Sequence, residues 1–333
     1  MDKWENVLIA QWIERRPPKP EIEVRLLVGA KMPNKVIAVV GPTASGKSAL
    51  AIWLARRFNG EVISVDSRQV YRELDIGSGK LAVGKRGGIK HHLLDVVNPK
   101  RIFTVFQYKK LAEKTIREVI NRCRLPILCG GTGFYLNAVL GDVALPPVPP
   151  NKILRAKLEK LSTKKLLAKL KILDPTRAEK IDSKNRRRLI RALEVATILT
   201  PQDSPWDSKK DYPWPCLKIG ILVEKNKLRQ RINRRLKTEL ESGLLAEVKK
   251  LRRQGLSWRR LDDLGLEYRF VSRYLRQQLT AAEMIKQLQT ALWHYAKRQL
   301  TWFKRDPKII WVKTSAEAEQ RARDFLKKPD QVE

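Results

Sequence analysis

One stretch restricts the fold of this chain more than any other: Lys35-Val-Ile-Ala-Val-Val-Gly41-Pro42-Thr43-Ala44-Ser45-Gly46-Lys47-Ser48. A β-branched apolar run breaks into Gly-x-x-x-x-Gly-Lys-Ser, and the helical pattern Ala49-Leu-Ala-Ile-Trp-Leu-Ala55 comes next. Strand, glycine loop and helix in that order make a phosphate-binding P-loop. Glycines let successive backbone N–H groups turn towards one anion, and the N-terminus of the next helix adds its positive end. Lys47 supplies a point charge to the outer phosphate, and the Ser48 hydroxyl is suited to magnesium. The motif requires a parallel α/β sheet around it and a phosphorylated ligand, without saying which.

The 333 residues suffice for about two domains. No apolar run approaches the roughly 18 residues of a membrane span. Cys123, Cys129 and Cys216 lack the spacing of a disulfide framework or zinc site, so a reducing, cytoplasmic setting is expected. Lys and Arg outnumber Asp and Glu by 69 to 35, a formal charge of +34. Self-repulsion on that scale is expected where a polyanion offsets it, and nucleic acid is the leading partner.

Residues 1–31 carry Arg15-Arg-Pro-Pro-Lys-Pro20 and precede the first core strand; a non-native or disordered extension is expected, with Met32 as the natural start. Gly60-Glu-Val-Ile-Ser-Val65 predicts a second strand, ending in Asp66. In parallel sheets ligands sit beyond the carboxyl ends of strands, which places Asp66 beside the P-loop, although an Asp there can also cap the next helix. Adjacent His91 and His92 point to a packed hinge rather than a metal pair. Residues 103–119 have helical periodicity, with Phe106, Leu111, Thr115 and Val119 near one face. Leu125-Pro-Ile-Leu-Cys129 is a buried strand that ends in Gly130-Gly131-Thr132, where an ATPase would present an acid. Bare backbone and a small hydroxyl suit close approach of a substrate better than activation of water.

Pro-rich punctuation at 145–150 and 201–215 brackets a basic, helical segment. Within it Lys184, Arg187, Arg188 and Arg191 fall on one helix side, a candidate phosphate contact. A strand at 217–223 resumes the sheet, and the next helix carries Arg231 and Arg235 four residues apart. That spacing makes a clamp for a diphosphate or a solvated basic face, and both arginines remain open. In Trp293-His-Tyr295-Ala-Lys297-Arg298-Gln299-Leu-Thr301-Trp302-Phe-Lys304, aromatics and cations alternate at helical spacing, as on an RNA-binding surface.

These motifs together resemble the tRNA dimethylallyltransferase (tRNA isopentenyltransferase) family of bacterial type. The resemblance rests on Gly41–Ser48, Val65-Asp-Ser-Arg-Gln-Val-Tyr71, Leu74-Asp-Ile-Gly77, His91-His-Leu-Leu-Asp95, Gly130-Gly-Thr-Gly-Phe-Tyr135, Arg187-Arg-Leu-Ile-Arg-Ala-Leu-Glu194 and Tyr295-Ala-Lys-Arg-Gln-Leu-Thr-Trp302. It implies a P-loop NTPase-like parallel sheet core (32–141) with an inserted all-helical domain (142–207), core completion with C-terminal basic helices (208–315) and a tail (316–333). It also implies transfer of a dimethylallyl group from its diphosphate to N6 of adenine 37 in tRNAs reading codons that begin with U, by a monomer assisted by Mg2+. By the same resemblance Gly41, Pro42, Thr43, Ala44, Ser45, Gly46, Lys47 and Ser48 hold the diphosphate, with Arg231 or Arg235, and Asp66, Thr132 and Lys47 are catalytic. Asp66, Ser67, Arg68, Gln69, Thr132, Arg155, Arg187, Arg188, Leu189, Ile190, Arg191, Lys297, Arg298, Gln299, Thr301, Trp302 and Lys304 meet the tRNA anticodon stem-loop. Leu264-Gly-Leu-Glu-Tyr-Arg269 departs from the family pattern. Competing expectations are an isopentenyltransferase acting on free adenylate, a P-loop small-molecule kinase and a non-catalytic RNA-binding P-loop protein.

Overall fold

Five consecutive apolar residues, Val36–Val40, form strand β1 and are all buried. A run without alternation belongs to a strand covered on both faces, as in parallel sheets. The computed structural model describes residues 34–200, 212 and 214–328, so the extension expected at 1–31 and the start at Met32 lie outside it. The other strands are β2 (Gly60–Ser64), β3 (His91–His92), β4 (Leu125–Gly130), β5 (Cys216–Ile221) and β6 (Ile309–Val312). All pair in parallel, in the order β3-β2-β4-β1-β5-β6.

One face of the sheet packs on α1 (Lys47–Arg57) and α13 (Ser315–Lys327). Ile37, Val39, Ile127 and Ile219 meet Leu50, Leu54, Ala318 and Ala322 there. The segment expected as a tail at 316–333 therefore contributes a core helix: Ala318, Ala322 and Leu326 recur at four-residue steps on one face. Helix α2 (Val105–Asn121) starts with a capping box in which Thr104 accepts from Gln107 N–H. Its buried face is Tyr108, Ala112, Thr115, Ile116 and Val119, so Thr115 and Val119 of the expected face are buried and Leu111 is half-buried, whereas Phe106 is 55% exposed. His91 and His92 belong to β3 rather than a hinge, because Ile63 and Val62 offer them a free strand edge to pair with. His92 Nε2 meets Glu61 Oε2 at 2.6 Å.

Short α3 (Gly133–Val139) succeeds β4. After β5 the chain forms α8 (Lys225–Glu241), α9 (Leu244–Arg253), α10 (Trp258–Leu264), α11 (Leu266–Leu275) and α12 (Ala281–Lys304). Helix α12 packs on both α8 and α11.

Residues 140–211 make a second compact unit, of which the structure describes 140–200. Its helices are α4 (Lys152–Leu158), α5 (Thr163–Leu173), α6 (Pro175–Lys180) and α7 (Arg186–Ala196). Asn151, Ser162, Asp174 and Asn185 cap them in turn, each accepting from a backbone N–H in the first turn. Leu158, Leu166, Leu170, Leu189 and Leu193 form its core. Glu194, 1% exposed, accepts two bonds from Arg155, at 2.7 and 2.6 Å, and one from Arg191 at 3.3 Å. A buried carboxylate needs such partners, and they hold its pKa down against the desolvation that would raise it.

Strands β2 and β4 converge at their carboxyl ends. A Cβ at Gly130 would overlap the Val65 carbonyl oxygen. Gly130→Ala is expected to destabilise the protein by about 1–3 kcal/mol, the usual cost of overpacking against backbone that cannot yield. Urea unfolding of the variant beside wild type measures the loss.

Candidate functional site

The segments beyond the carboxyl ends of β1, β2 and β4 carry the P-loop, Asp66 and Thr132. After β1, Gly41 (φ +148°), Ala44 (φ +59°) and Gly46 (φ +98°) turn the P-loop through conformations that L residues rarely adopt. Gly46 caps α1 without a side-chain bond, and no acid lies in the first turn. The positive helix end is therefore uncompensated by the protein itself. Ser45 is 3% exposed and its Oγ has no hydrogen-bond partner among the described residues. An orphaned hydroxyl in such a loop fits a ligand oxygen. Lys47 Nζ donates to Pro42 O at 2.8 Å, lying across its own loop. Burial pulls its pKa below the ordinary lysine value, opposed by Cys129 and Asp66 and reinforced by Arg235.

Two distant side chains brace this loop. Gln299 on α12 accepts from Thr43 N–H at 2.8 Å and donates to Gly131 O at 2.9 Å, joining the P-loop to the end of β4. Arg235 on α8 donates Nη1–H to Thr43 Oγ1 at 2.7 Å. The open pair of arginines is thus separated by geometry: Arg235 reaches the P-loop, while Arg231 is exposed one turn earlier.

Asp66 makes the capping contact that is the alternative reading of this position. Its Oδ1 accepts from Arg68 N–H (2.8 Å) and Gln69 N–H (3.3 Å), capping the turn after β2. Its Oδ2 accepts no hydrogen bond among the described residues, and its field reaches Lys47, Arg235, Tyr135 and Tyr295. Thr132 Oγ1 accepts from Ser67 N–H at 3.2 Å, so its own O–H proton remains to be donated. Tyr135 lies beneath, its ring 4.5 Å from that of Tyr108, and burial pushes its hydroxyl up to about 12. The Gln69 side chain is committed elsewhere: its amide accepts from Ser64 Oγ and donates to the carbonyls of Ser78 and Gly79.

Arg235 sits among carboxylates that no sequence motif marks. Glu239, one turn on, accepts from its Nε at 2.6 Å. Burial works against the charged guanidinium, but Glu239 and Glu267 outweigh it and hold Arg235 firmly cationic. The i,i+4 spacing from Arg235 to Glu239 is a usable signal in the sequence. Glu267 lies in Leu264-Gly-Leu-Glu-Tyr-Arg269, the segment that departs from the family pattern, and is recognisable only in three dimensions. Desolvation and then the Glu239 charge push its pKa up to about 7.

A metal would have few protein ligands here. Among the described residues no three His, Cys, Asp or Glu side chains gather at metal-binding distance. Ser48, half-buried in the first turn of α1, is a hard oxygen of the kind magnesium takes when substrate phosphates complete its shell.

The residues expected to meet RNA divide into two groups. Lys297, Arg298, Thr301 and Lys304 are exposed along α12, and half-buried Trp302 stands edge-on to Phe134 at 6.5 Å. Phe134, itself 41% exposed, is not among the residues expected there from sequence. Arg187 and Arg188 are exposed on α7, and Lys184 precedes its cap. The others are placed differently. Gln299 is 7% exposed and braces the P-loop, so its side chain is not on the basic surface. Leu189 and Ile190 point into the core of the second unit because they occupy the apolar face of α7. Arg155 and Arg191 hold Glu194, and only part of each guanidinium faces solvent.

Residues 69–306 match the family model described as IPP transferase. A protein of Pelobacter propionicus named tRNA dimethylallyltransferase 2 is 43% identical over 284 residues, 83% of this chain and 89% of that protein. One of Anoxybacillus flavithermus, named tRNA dimethylallyltransferase, is 38% identical over 300 residues, 89% and 96% of the two chains. Among solved structures, a full-length tRNA isopentenylpyrophosphate transferase from Bacillus halodurans superposes with a TM-score of 0.66 at 35% identity, covering 88% of this chain and 95% of that one. A eukaryotic dimethylallyltransferase acting on tRNA superposes at 0.76 with 26% identity, covering 90% of this chain and 81% of its own.

Folding raises the proton affinity of Glu267, so its contribution is fully present below the ordinary value of 4.5 and is lost as pH rises through about 7. Stability is expected to fall over that interval, and Glu267→Gln to flatten the decline. Urea titrations of both proteins at several pH values give the comparison.

Proposed function

We propose a specific course of reaction for this chain, which belongs to the IPP transferase family, the tRNA dimethylallyltransferases. It is a prenyltransferase, and its acceptor is tRNA. Dimethylallyl diphosphate is the donor and N6 of adenine 37, in the anticodon stem-loop of tRNAs reading codons that begin with U, is the nucleophile. The products are N6-isopentenyladenosine and diphosphate, made by a monomer in the cytoplasm.

The observation that carries this course is one edge of the sheet. An anion-ready loop with the orphaned Ser45 hydroxyl, braced by Arg235, shares that edge with Asp66, whose Oδ2 accepts no bond among the described residues. The diphosphate lies in the P-loop, against its backbone N–H groups, Lys47 and Arg235. Ser48 and the diphosphate oxygens would hold magnesium, which supplies further neutralisation of the leaving group. As the allylic C–O bond breaks, its electron pair stays with the diphosphate, and Lys47 and Arg235 stabilise the charge that develops. The N6 lone pair forms the new C–N bond. Delocalisation into the ring makes that amine a poor nucleophile, and Asp66 Oδ2 offsets this by taking its proton. Thr132 donates its hydroxyl proton to the adenine edge.

A stacked base cannot reach this edge, so adenine 37 is swung out of the anticodon loop. Lys297, Arg298 and Lys304 on α12, with Arg187 and Arg188 on α7, contact the phosphates and make affinity salt-dependent.

Labelled dimethylallyl diphosphate offered with tRNA, with tRNA lacking adenine 37, and with AMP or ATP tests the assignment. Label is expected in the first alone; label in AMP but not in tRNA would overturn it. Asp66→Asn is expected to leave tRNA affinity nearly intact and to lower turnover by a factor on the order of 10²–10⁴, the usual range for a general base. Ala at Lys297, Arg298 or Lys304 should each reduce the slope of log affinity against log salt by about one.

A further inference from the structure

The motif Leu74-Asp-Ile-Gly77 has no part in the transfer chemistry, yet its backbone is tied down by a run of hydrogen bonds. Residues 74–80 form a strap with Gly77 pressed against the Tyr268 ring and Leu244, where a Cβ would lie 2.8 and 2.9 Å from their carbons. Three successive backbone donors of the strap point at one carboxylate. Asp75 N–H (3.0 Å) and Ile76 N–H (2.8 Å) donate to Glu247 Oε2, and Gly77 N–H (3.1 Å) to Oε1. Tyr268 donates its hydroxyl to the same Oε1 at 2.8 Å. Consecutive N–H groups of this kind form an anion nest, and here the anion is the first-turn acid of α9.

The far end of the strap faces the diphosphate machinery. The carbonyls of Ser78 and Gly79 accept from the Gln69 amide. Gly79 lies so close to Arg235 that a Cβ there would overlap the guanidinium. Lys80, its side chain 3% exposed, anchors that end on Tyr71 O, Asp75 and Asp95. The strap is thus a wall that Arg235 rests against on one side while Thr43 and Glu239 hold it on the other.

We propose that Glu247 is a positioning residue for the diphosphate site: by closing the nest of Asp75, Ile76 and Gly77 it holds the strap against Arg235 and so sets where the guanidinium points. This rests on the assignment of Arg235 to the diphosphate. Glutamine at 247 keeps the size but places an amide group against N–H donors, so at least one contact of the anchorage becomes repulsive. Alanine at Gly79 leaves Glu247 intact and displaces the guanidinium directly.

The test measures inorganic diphosphate binding by calorimetry, and kcat and KM for dimethylallyl diphosphate with tRNA. It covers the wild-type chain, Glu247→Gln, Gly79→Ala and Arg235→Lys, and each of the first two variants combined with Arg235→Lys. Glu247→Gln and Gly79→Ala are each expected to weaken diphosphate binding and raise KM about tenfold, with little change in tRNA affinity. In the Arg235→Lys background the same changes should cost less than about twofold, since residues acting through one partner are not additive. Equal losses in both backgrounds would mean a general structural role and would overturn the proposal, as would wild-type binding in both single variants. If Glu247→Gln does not fold, Glu247→Asp, which keeps the charge but draws the carboxylate back from the nest, carries the same comparison. A wild-type chain that binds diphosphate but prenylates no tRNA would refute the proposed function, while the binding data would still decide the role of Glu247.

Discussion

A loop that offers its backbone donors to an anion cannot also satisfy them internally, and that constraint organises this protein. The P-loop leaves Ser45 Oγ without a partner among the described residues and runs through positive φ at Ala44. Such a conformation persists only where its surroundings over-determine it. Here the restraint comes from far along the chain: Gln299 binds the Thr43 amide and Arg235 the Thr43 hydroxyl, across 256 and 192 residues of sequence. The C-terminal helices therefore brace the P-loop, in addition to carrying a basic surface. A protein truncated before α8 would keep the motif and lose both braces.

The same economy applies to charge. Arg235 is useful to an anion only if it stays charged and keeps one orientation while partly removed from water. Glu239 provides the first by direct pairing and Glu267 by its field. The influence is mutual: ionised Glu267 supports the charge on Arg235, while burial and the Glu239 charge raise the pKa of Glu267 itself to about 7.

Much of the fold and site is legible in local pattern. The β1 run, the Gly-Lys-Ser turn, the strand ending in Asp66 and the strand ending in Gly-Gly-Thr are each short and continuous, and their positions in a parallel sheet come from connectivity. The features that local pattern does not reveal are long-range or a matter of phase. Phe106 does not share the buried face of α2 with Thr115 and Val119, because nine helical residues at about 100° each carry it to the opposite side. Gln299 sits in sequence among cations, yet successive residues of a helix diverge by about 100°. Lys297 and Arg298 can thus face water while Gln299 faces the P-loop. Leu189 and Ile190 share a motif with the arginines around them, although their apolar side chains complete the core of the second unit. Glu247 and Glu267 carry no motif, and only their partners identify them.

The placement of these residues bears on why a nucleotide-binding loop suits prenyl transfer. An ATPase needs an acid near the P-loop to order water, whereas an allylic diphosphate needs water kept away from a reactive carbon. Beyond β4 stand Gly131 and Thr132 in place of an acid, and the buried Gln299 amide closes the space above Gly131, where a Cβ would overlap its nitrogen. The carboxylate near the loop is Asp66, which follows β2 instead and is fixed through one oxygen by the turn it caps. That leaves a single oriented oxygen for a proton on an incoming amine. Under the proposed course, the base for the nucleobase amine stands one strand away from the position where a water-activating acid would stand.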